Sequence, residues 1–180
     1  MLELFIEGVD LYDERNAEFV STKDTTLRLE HSLISLTKWE SKWHKPFLGN
    51  EQRTEEEIRD YVRCMTITQN VDPKVYLGLT QEHYKKIEEY MSDPMTATWF
   101  NDKNNPRSKQ KVVTAELIYY WMISLQIPFE CERWHLNRLL TLIRVCNNEN
   151  TPKKKMRTGD VFKQNAQLNE ARRKMMRSRG

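Results

Sequence analysis

Glycine and cysteine are both scarce in this chain. Only five of its 180 residues are glycine, and neither GxxxxGK[ST] nor GxGxxG occurs, so nothing supports a glycine-rich phosphate loop. Little glycine beside abundant Leu, Glu, Lys and Arg favours helices over a turn-rich β architecture. The three cysteines, Cys64, Cys131 and Cys146, are odd in number and widely spaced. They match no disulfide framework and indicate reduced thiols in a cytosol.

Long hydrophobic runs are absent as well. No apolar stretch approaches the roughly 20 residues that a helix needs to cross a bilayer. The first residues, "MLELFIEGVD", contain acids, whereas a signal peptide begins with a basic region. We therefore expect a soluble protein that neither enters a membrane nor carries an export signal.

The composition that is present is globular, with an uneven distribution of charge. Apolar residues make up 38% and charged residues 31% of the chain, which is typical of a folded protein with a polar exterior. Residues 153–180 contain ten Lys and Arg against two acids, a net charge of +8, although the whole chain carries only +3. An acidic body with a net charge of −5 therefore precedes a basic tail.

The first 30 residues have the period of β-strands. Leu2, Leu4 and Ile6 occupy every second position, which is the spacing of side chains on one face of a strand. Residues 1–30 are therefore predicted to form a small antiparallel hairpin or three-strand meander.

After residue 30 the apolar period becomes that of helices. Leu33, Leu36, Trp39 and Trp43 are spaced by three or four residues and share one helix face. Four further helices are predicted to begin after the capping residues Thr54, Asp72, Thr80 and Thr114. Another is predicted after Pro128, over residues 129–147, and a last one from Thr158 to about Met176. The segment "TATWF", residues 96–100, is predicted as a short strand in a long loop over 92–111.

These elements predict a mainly helical α+β fold in three parts. A β-hairpin or meander occupies residues 1–30, a helical core domain occupies 31–150, and a basic helical tail occupies 151–180. The centre of the core is expected to be an antiparallel pair of helices, residues 114–126 and 129–147, because these are the most apolar helical segments.

The stretch "ECERWHLNRLLTLIRVC", residues 130–146, is the main candidate for chemistry. Cys131 and His135 are four residues apart and would share a face of the predicted helix. Cys146 lies about 22 Å further along such a helix and cannot join them. No CxxC or HxxxH spacing supplies further metal ligands, and no glycine-rich elbow accompanies a Cys–His nucleophile. The interpretation is a packed core helix, so we expect no catalytic residues, no metal and no cofactor.

Aromatic and basic residues provide candidates for partner binding. In "KWESKWHKPF", Trp39 and Trp43 are interleaved with lysines, a pattern that fits either nucleic-acid binding by stacking or an anchor for a core or partner helix. The basic tail can attract phosphate, or an acidic partner such as the body of another copy. The predicted partner-binding residues are Trp39, Trp43, Trp99, Lys153, Lys154, Lys155, Arg172, Arg173, Lys174 and Arg177.

Four segments, taken in order, resemble proteins described as tail assembly chaperones of tailed bacteriophages. They are "LEHSLISLTKWESKWHKPFL", "TEEEIRDYVRCMT", "TAELIYYWMISLQIPFECERWHLNRLLTLIRVCN" and "NAQLNEARRKMM". The resemblance implies a non-enzymatic protein of the host cytoplasm that binds the tape measure protein, keeps its apolar helices in solution and helps recruit tail-tube subunits. Two other functions stay open: a virion structural protein, such as a head-tail connector or tail completion protein, and nucleic-acid binding through the basic tail.

Overall fold

The computed structural model describes residues 1–13, 18–49, 52–100, 112–150, 165–166, 168–170 and 172. The chain divides into two compact units, Met1–Asn147 and Asn148–Gly180. All described residues of the second unit are helical. The division into residues 1–30, 31–150 and 151–180 stays a prediction.

The N-terminal strands form one antiparallel ribbon. They are β1 (Leu2–Ile6), β2 (Asp10–Asp13), β3 (Glu18–Ser21) and β4 (Thr25–Leu29). The outer pair β1–β4 and the inner pair β2–β3 keep a single register, with Leu2 opposite Leu29 and Asp13 opposite Glu18. The predicted antiparallel hairpin is therefore confirmed.

Helices make up most of the rest of the part that the structure describes. The α-helices are α1 (Leu33–Trp43), α2 (Glu55–Met65), α3 (Gln81–Ser92), α4 (Ala115–Ser124) and α5 (Leu136–Asn150), and the 3-10 helices are Pro73–Gly78 and Phe129–Arg133. The chain is thus a mainly helical α+β protein, as predicted. None of the described helices is both long and apolar enough to span a membrane.

Side-chain caps explain where several helices begin. The hydroxyl of Thr54 accepts a hydrogen bond from Glu57 N, and the Glu57 carboxylate accepts one from Thr54 N. This reciprocal arrangement satisfies two backbone donors that the first helical turn would leave unpaired. Thr80 caps α3 in the same way, so both predicted helix starts are confirmed.

The centre of the core is α1. It packs against α2, α4 and the 3-10 helix Phe129–Arg133, so the expected central pair of helices, residues 114–126 and 129–147, is wrong. The largest fully buried side chains come from the ribbon and from every α-helix except α3: Ile6, Leu27, Leu29, Leu33, Leu36, Trp39, Val62, Met65, Ile118, Met122, Leu136 and Leu139.

The single helix predicted over residues 129–147 is also wrong. The chain forms the 3-10 helix Phe129–Arg133, becomes extended at Trp134, and begins α5 only at Leu136. His135 forms a β-bridge with Ser32, and Leu136 N donates to His31 O over 2.7 Å. These contacts with the start of α1 hold the backbone out of helical geometry. The strand predicted over residues 96–100 is likewise wrong, since that segment has no strand.

Candidate functional site

A buried carboxylate fixes where α4 begins. The Oε2 atom of Glu40 on α1 accepts a hydrogen bond from Ala115 N over 2.7 Å, and its Oε1 atom accepts one from Phe47 N over 2.8 Å. Burial raises the pKa of Glu40, although the two amide bonds oppose that effect. The first turn of α4 is therefore held against α1 by a side chain of that helix.

The two sides of α4 have different surroundings but similar chemistry. Ala115, Ile118 and Met122 are buried against the core. Tyr120 and Ile123 lie on the other side and are each 63% exposed. A surface helix ordinarily turns polar side chains outward, whereas the sequence of α4, "AELIYYWMIS", contains one charged residue. The outer side of α4 therefore exposes two large side chains with apolar area, Tyr120 and Ile123, beside the polar residues Glu116 and Ser124.

The neighbouring 3-10 helix extends this apolar region. Phe129 is 55% exposed, and its ring centroid lies 6.3 Å from that of Tyr119 on α4. The Tyr119 hydroxyl donates a hydrogen bond to Glu132 Oε2 over 2.8 Å. We refer to Tyr119, Tyr120, Ile123 and Phe129 as the α4 apolar surface. Its exposed rings and its isoleucine can contact apolar side chains of another protein.

The sequence prediction for the tryptophans needs a correction. Trp39 is only 1% exposed, and its indole N–H donates to Glu57 O over 2.8 Å, so it belongs to the core and not to an exposed surface. Trp43 is half-buried, and its indole N–H donates to Asp60 Oδ2 over 2.8 Å. Trp99 is 81% exposed and is the tryptophan whose surroundings fit contact with a partner.

Most of the predicted basic binding residues lie outside the described residues. These are Lys153, Lys154, Lys155, Arg173, Lys174 and Arg177. Arg172 is described, helical and exposed. A role of this basic segment in binding stays a prediction.

The Cys and His candidates lie in the interior and do not share a helix face. Cys131 belongs to the 3-10 helix, and His135 follows it in the extended segment; both side chains are buried. Among the described residues no group of three or more Cys, His, Asp or Glu is placed to hold a metal ion. Burial also raises the pKa of the Cys131 thiol, which lowers its reactivity as a nucleophile.

His135 instead takes part in a buried polar cluster with His31. The Tyr61 hydroxyl lies 2.7 Å from His31 Nδ1, and the two imidazole centroids are 5.3 Å apart. His135 Nε2 donates to Tyr90 O over 3.1 Å. Burial lowers the pKa of both histidines, so their neutral forms belong to the folded state. The cluster joins α2 and α3 to the segments that directly precede α1 and α5.

Sequence reasoning missed Tyr120, Ile123 and Phe129. It took the apolar character of residues 114–126 as evidence that this helix lies at the centre of the core, since strongly apolar helices are usually buried. The available signal was a ten-residue helix with a single charged residue, which has too few polar side chains to fill a solvent-facing side.

Comparison with known proteins provides no relative. No family model, no curated protein and no solved structure matches this chain.

Proposed function

We propose that this chain is a non-enzymatic tail assembly chaperone of a tailed bacteriophage. In this role it binds the tape measure protein in the host cytoplasm, covers apolar helical segments of that protein and helps recruit tail-tube subunits. The proposal combines the resemblance of the four sequence segments to such chaperones with one structural observation. That observation is the α4 apolar surface, which keeps Tyr120 and Ile123 in water.

Covering the exposed side chains of this surface can stabilise a complex with another protein. Burying a large apolar side chain contributes about 1.5–3 kcal/mol. Tyr120 and Ile123 are neighbours on one helix face, being three residues apart, and both are mostly exposed. An amphipathic helix laid across them would bury its own apolar stripe in return, which is the helix-in-groove mode of recognition.

The test is co-expression with tagged tape measure and tail-tube proteins, followed by capture. Wild type should be captured by the tape measure protein. The variant Tyr120→Ser/Ile123→Ser should keep its free energy of unfolding, since both side chains are exposed, but its capture should fall roughly ten- to hundredfold. Ile67→Ser is the matched control, because Ile67 is 52% exposed at a position outside the α4 apolar surface.

Purified phage particles distinguish the chaperone from a structural protein. A chaperone should be captured by the tape measure protein and absent from the particle by mass spectrometry. A fixed copy number in the particle would contradict the chaperone role and support a connector or tail completion protein. Nucleic-acid binding through residues 153–180 predicts an affinity that falls steeply with salt, and weak binding at all salt concentrations would remove it.

A further inference from the structure

The acids around the α4 apolar surface indicate which partner helix fits it. Glu116 is exposed and lies one helical turn before Tyr120, on the same face of α4. Glu130 is exposed and directly follows Phe129, and Glu132 accepts the hydrogen bond of Tyr119. Each aromatic residue of the surface therefore has a carboxylate next to it.

The two described helices that form the α4 apolar surface contain little positive charge. The α4 segment "AELIYYWMIS" has no Lys or Arg, and the 3-10 helix "FECER" contributes one cation, the exposed Arg133. The three acids and Arg133 give a net charge of −2 beside the apolar surface. A partner that brings further acids would be repelled, whereas one that brings Lys or Arg would be attracted.

We propose that the α4 apolar surface binds an amphipathic helix whose apolar stripe is bordered by Lys or Arg. This inference rests on the proposed function and specifies the chemistry of the partner segment. A second copy fits less well, because a symmetric contact between two α4 surfaces brings the acids of both copies into one interface without a compensating cation on α4. Nucleic acid is disfavoured at this surface for the same electrostatic reason.

The experiment uses the full chain and synthetic helical peptides. Two 18-residue peptides share one leucine stripe and differ only in its borders, which are lysine in one and glutamate in the other. Binding is measured by titration calorimetry at low and at physiological salt. The lysine-bordered peptide should bind wild type, and its affinity should weaken with salt as exposed charge pairs are screened.

Charge reversal at the surface is the decisive comparison. Residues 153–180 are basic and can attract an acidic peptide by themselves, so each peptide is compared between wild type and Glu116→Lys/Glu130→Lys. Both positions are exposed, so the fold should persist. We expect the variant to bind the lysine-bordered peptide about tenfold more weakly and the glutamate-bordered peptide about tenfold more tightly. The control Glu82→Lys/Glu89→Lys reverses two exposed acids on α3 and should change neither affinity more than twofold.

The possible outcomes test the charge preference of the surface and the proposed function separately. Equal effects of the α4 and α3 reversals, or no effect of either, would overturn the inference. Capture of the tape measure protein that is lost in Tyr120→Ser/Ile123→Ser but kept in Glu116→Lys/Glu130→Lys would leave the function standing and refute the charge preference. Self-association of wild type that Ile123→Ser abolishes, without peptide binding, would assign the surface to a second copy instead. Peptide selectivity without tape measure capture would support the inference and contradict the proposed function.

Discussion

Acid should destabilise this protein through one buried histidine. His31 is 3% exposed, and its pKa is lowered from 6.5 to about 3 by burial and by the neighbouring His135. The unfolded chain exposes the same imidazole to water, where it binds a proton near pH 6.5. Below that pH the unfolded state therefore gains a proton that the folded state does not. The stability that depends on neutral His31 is complete above about pH 6.5 and is lost as the pH falls towards about 3.

The magnitude of this effect follows from the difference in pKa. Each pH unit between the two pKa values corresponds to about 1.4 kcal/mol. Going from pH 8 to pH 5 crosses about 1.5 of these units, so His31 alone should lower the free energy of unfolding by about 2 kcal/mol. A loss of this size is a large fraction of the roughly 5–15 kcal/mol that stabilises a typical domain.

The contribution of His31 is isolated by comparing wild type with His31→Gln at pH 8 and at pH 5. Unfolding in urea is monitored by tryptophan fluorescence. Glutamine does not titrate in this range, so carboxylates that change protonation contribute equally to both proteins. At pH 8 the variant should be the less stable protein, because it loses the ring packing against His135. At pH 5 this difference should be smaller by about 2 kcal/mol.

The control for this comparison is His44→Asn. His44 is exposed and adopts a left-handed backbone conformation with φ 54° at the end of α1, which Asn tolerates. This variant removes an exposed histidine and leaves the buried cluster around His31 intact, so it measures what the loss of a histidine outside the interior does to stability at each pH. A His31→Gln difference from wild type that is the same at pH 8 and pH 5 would refute the argument from burial.

Three further substitutions test separate parts of the fold by urea unfolding. Glu40→Ala should cost about 3 kcal/mol, because it leaves two buried backbone amides without an acceptor; a loss under 1 kcal/mol would contradict the role assigned to this carboxylate. Thr54→Ala should cost about 1 kcal/mol through the lost cap of α2, and Thr54→Ser should restore most of it. Gly8→Ala should destabilise the ribbon by at least about 1 kcal/mol, since an added Cβ would lie 2.4 Å from Thr22 O. Unchanged stability would show that the backbone at Gly8 can shift to make room for a methyl group.

Strand β1 and the starts of α2 and α3 were predictable because they depend on interactions between residues close in sequence. The alternation of Leu4 and Ile6 with exposed neighbours marks β1, and Thr54 and Thr80 mark helix starts, because each cap depends on atoms within three residues. Such signals are complete in the sequence itself. They need no knowledge of what the element will pack against.

Tertiary contacts decided the features that were predicted wrongly. The break between the 3-10 helix and α5 depends on a bridge between Ser32 and His135, which are far apart in sequence. The burial of Trp39 depends on the Glu57 carbonyl that receives its indole N–H. The helical period of residues 129–147 gives no sign of the bridge to Ser32. The spacing of Trp39 and Trp43 fits a core helix and a partner-binding helix equally well, so it does not reveal the burial of Trp39.

The positions of reactive and apolar side chains decide which part of this protein can act on another molecule. Cys131, His31 and His135 are buried, and burial lowers the pKa values of both histidines and raises that of the thiol. Substitutions there should therefore change stability before anything else. Tyr120 and Ile123 are in the opposite situation: folding buries little of either side chain, so their apolar area contributes little to the folded state. That area gives a free-energy gain only when another surface covers it, and for this reason we propose the outer side of α4 as the surface that binds a partner.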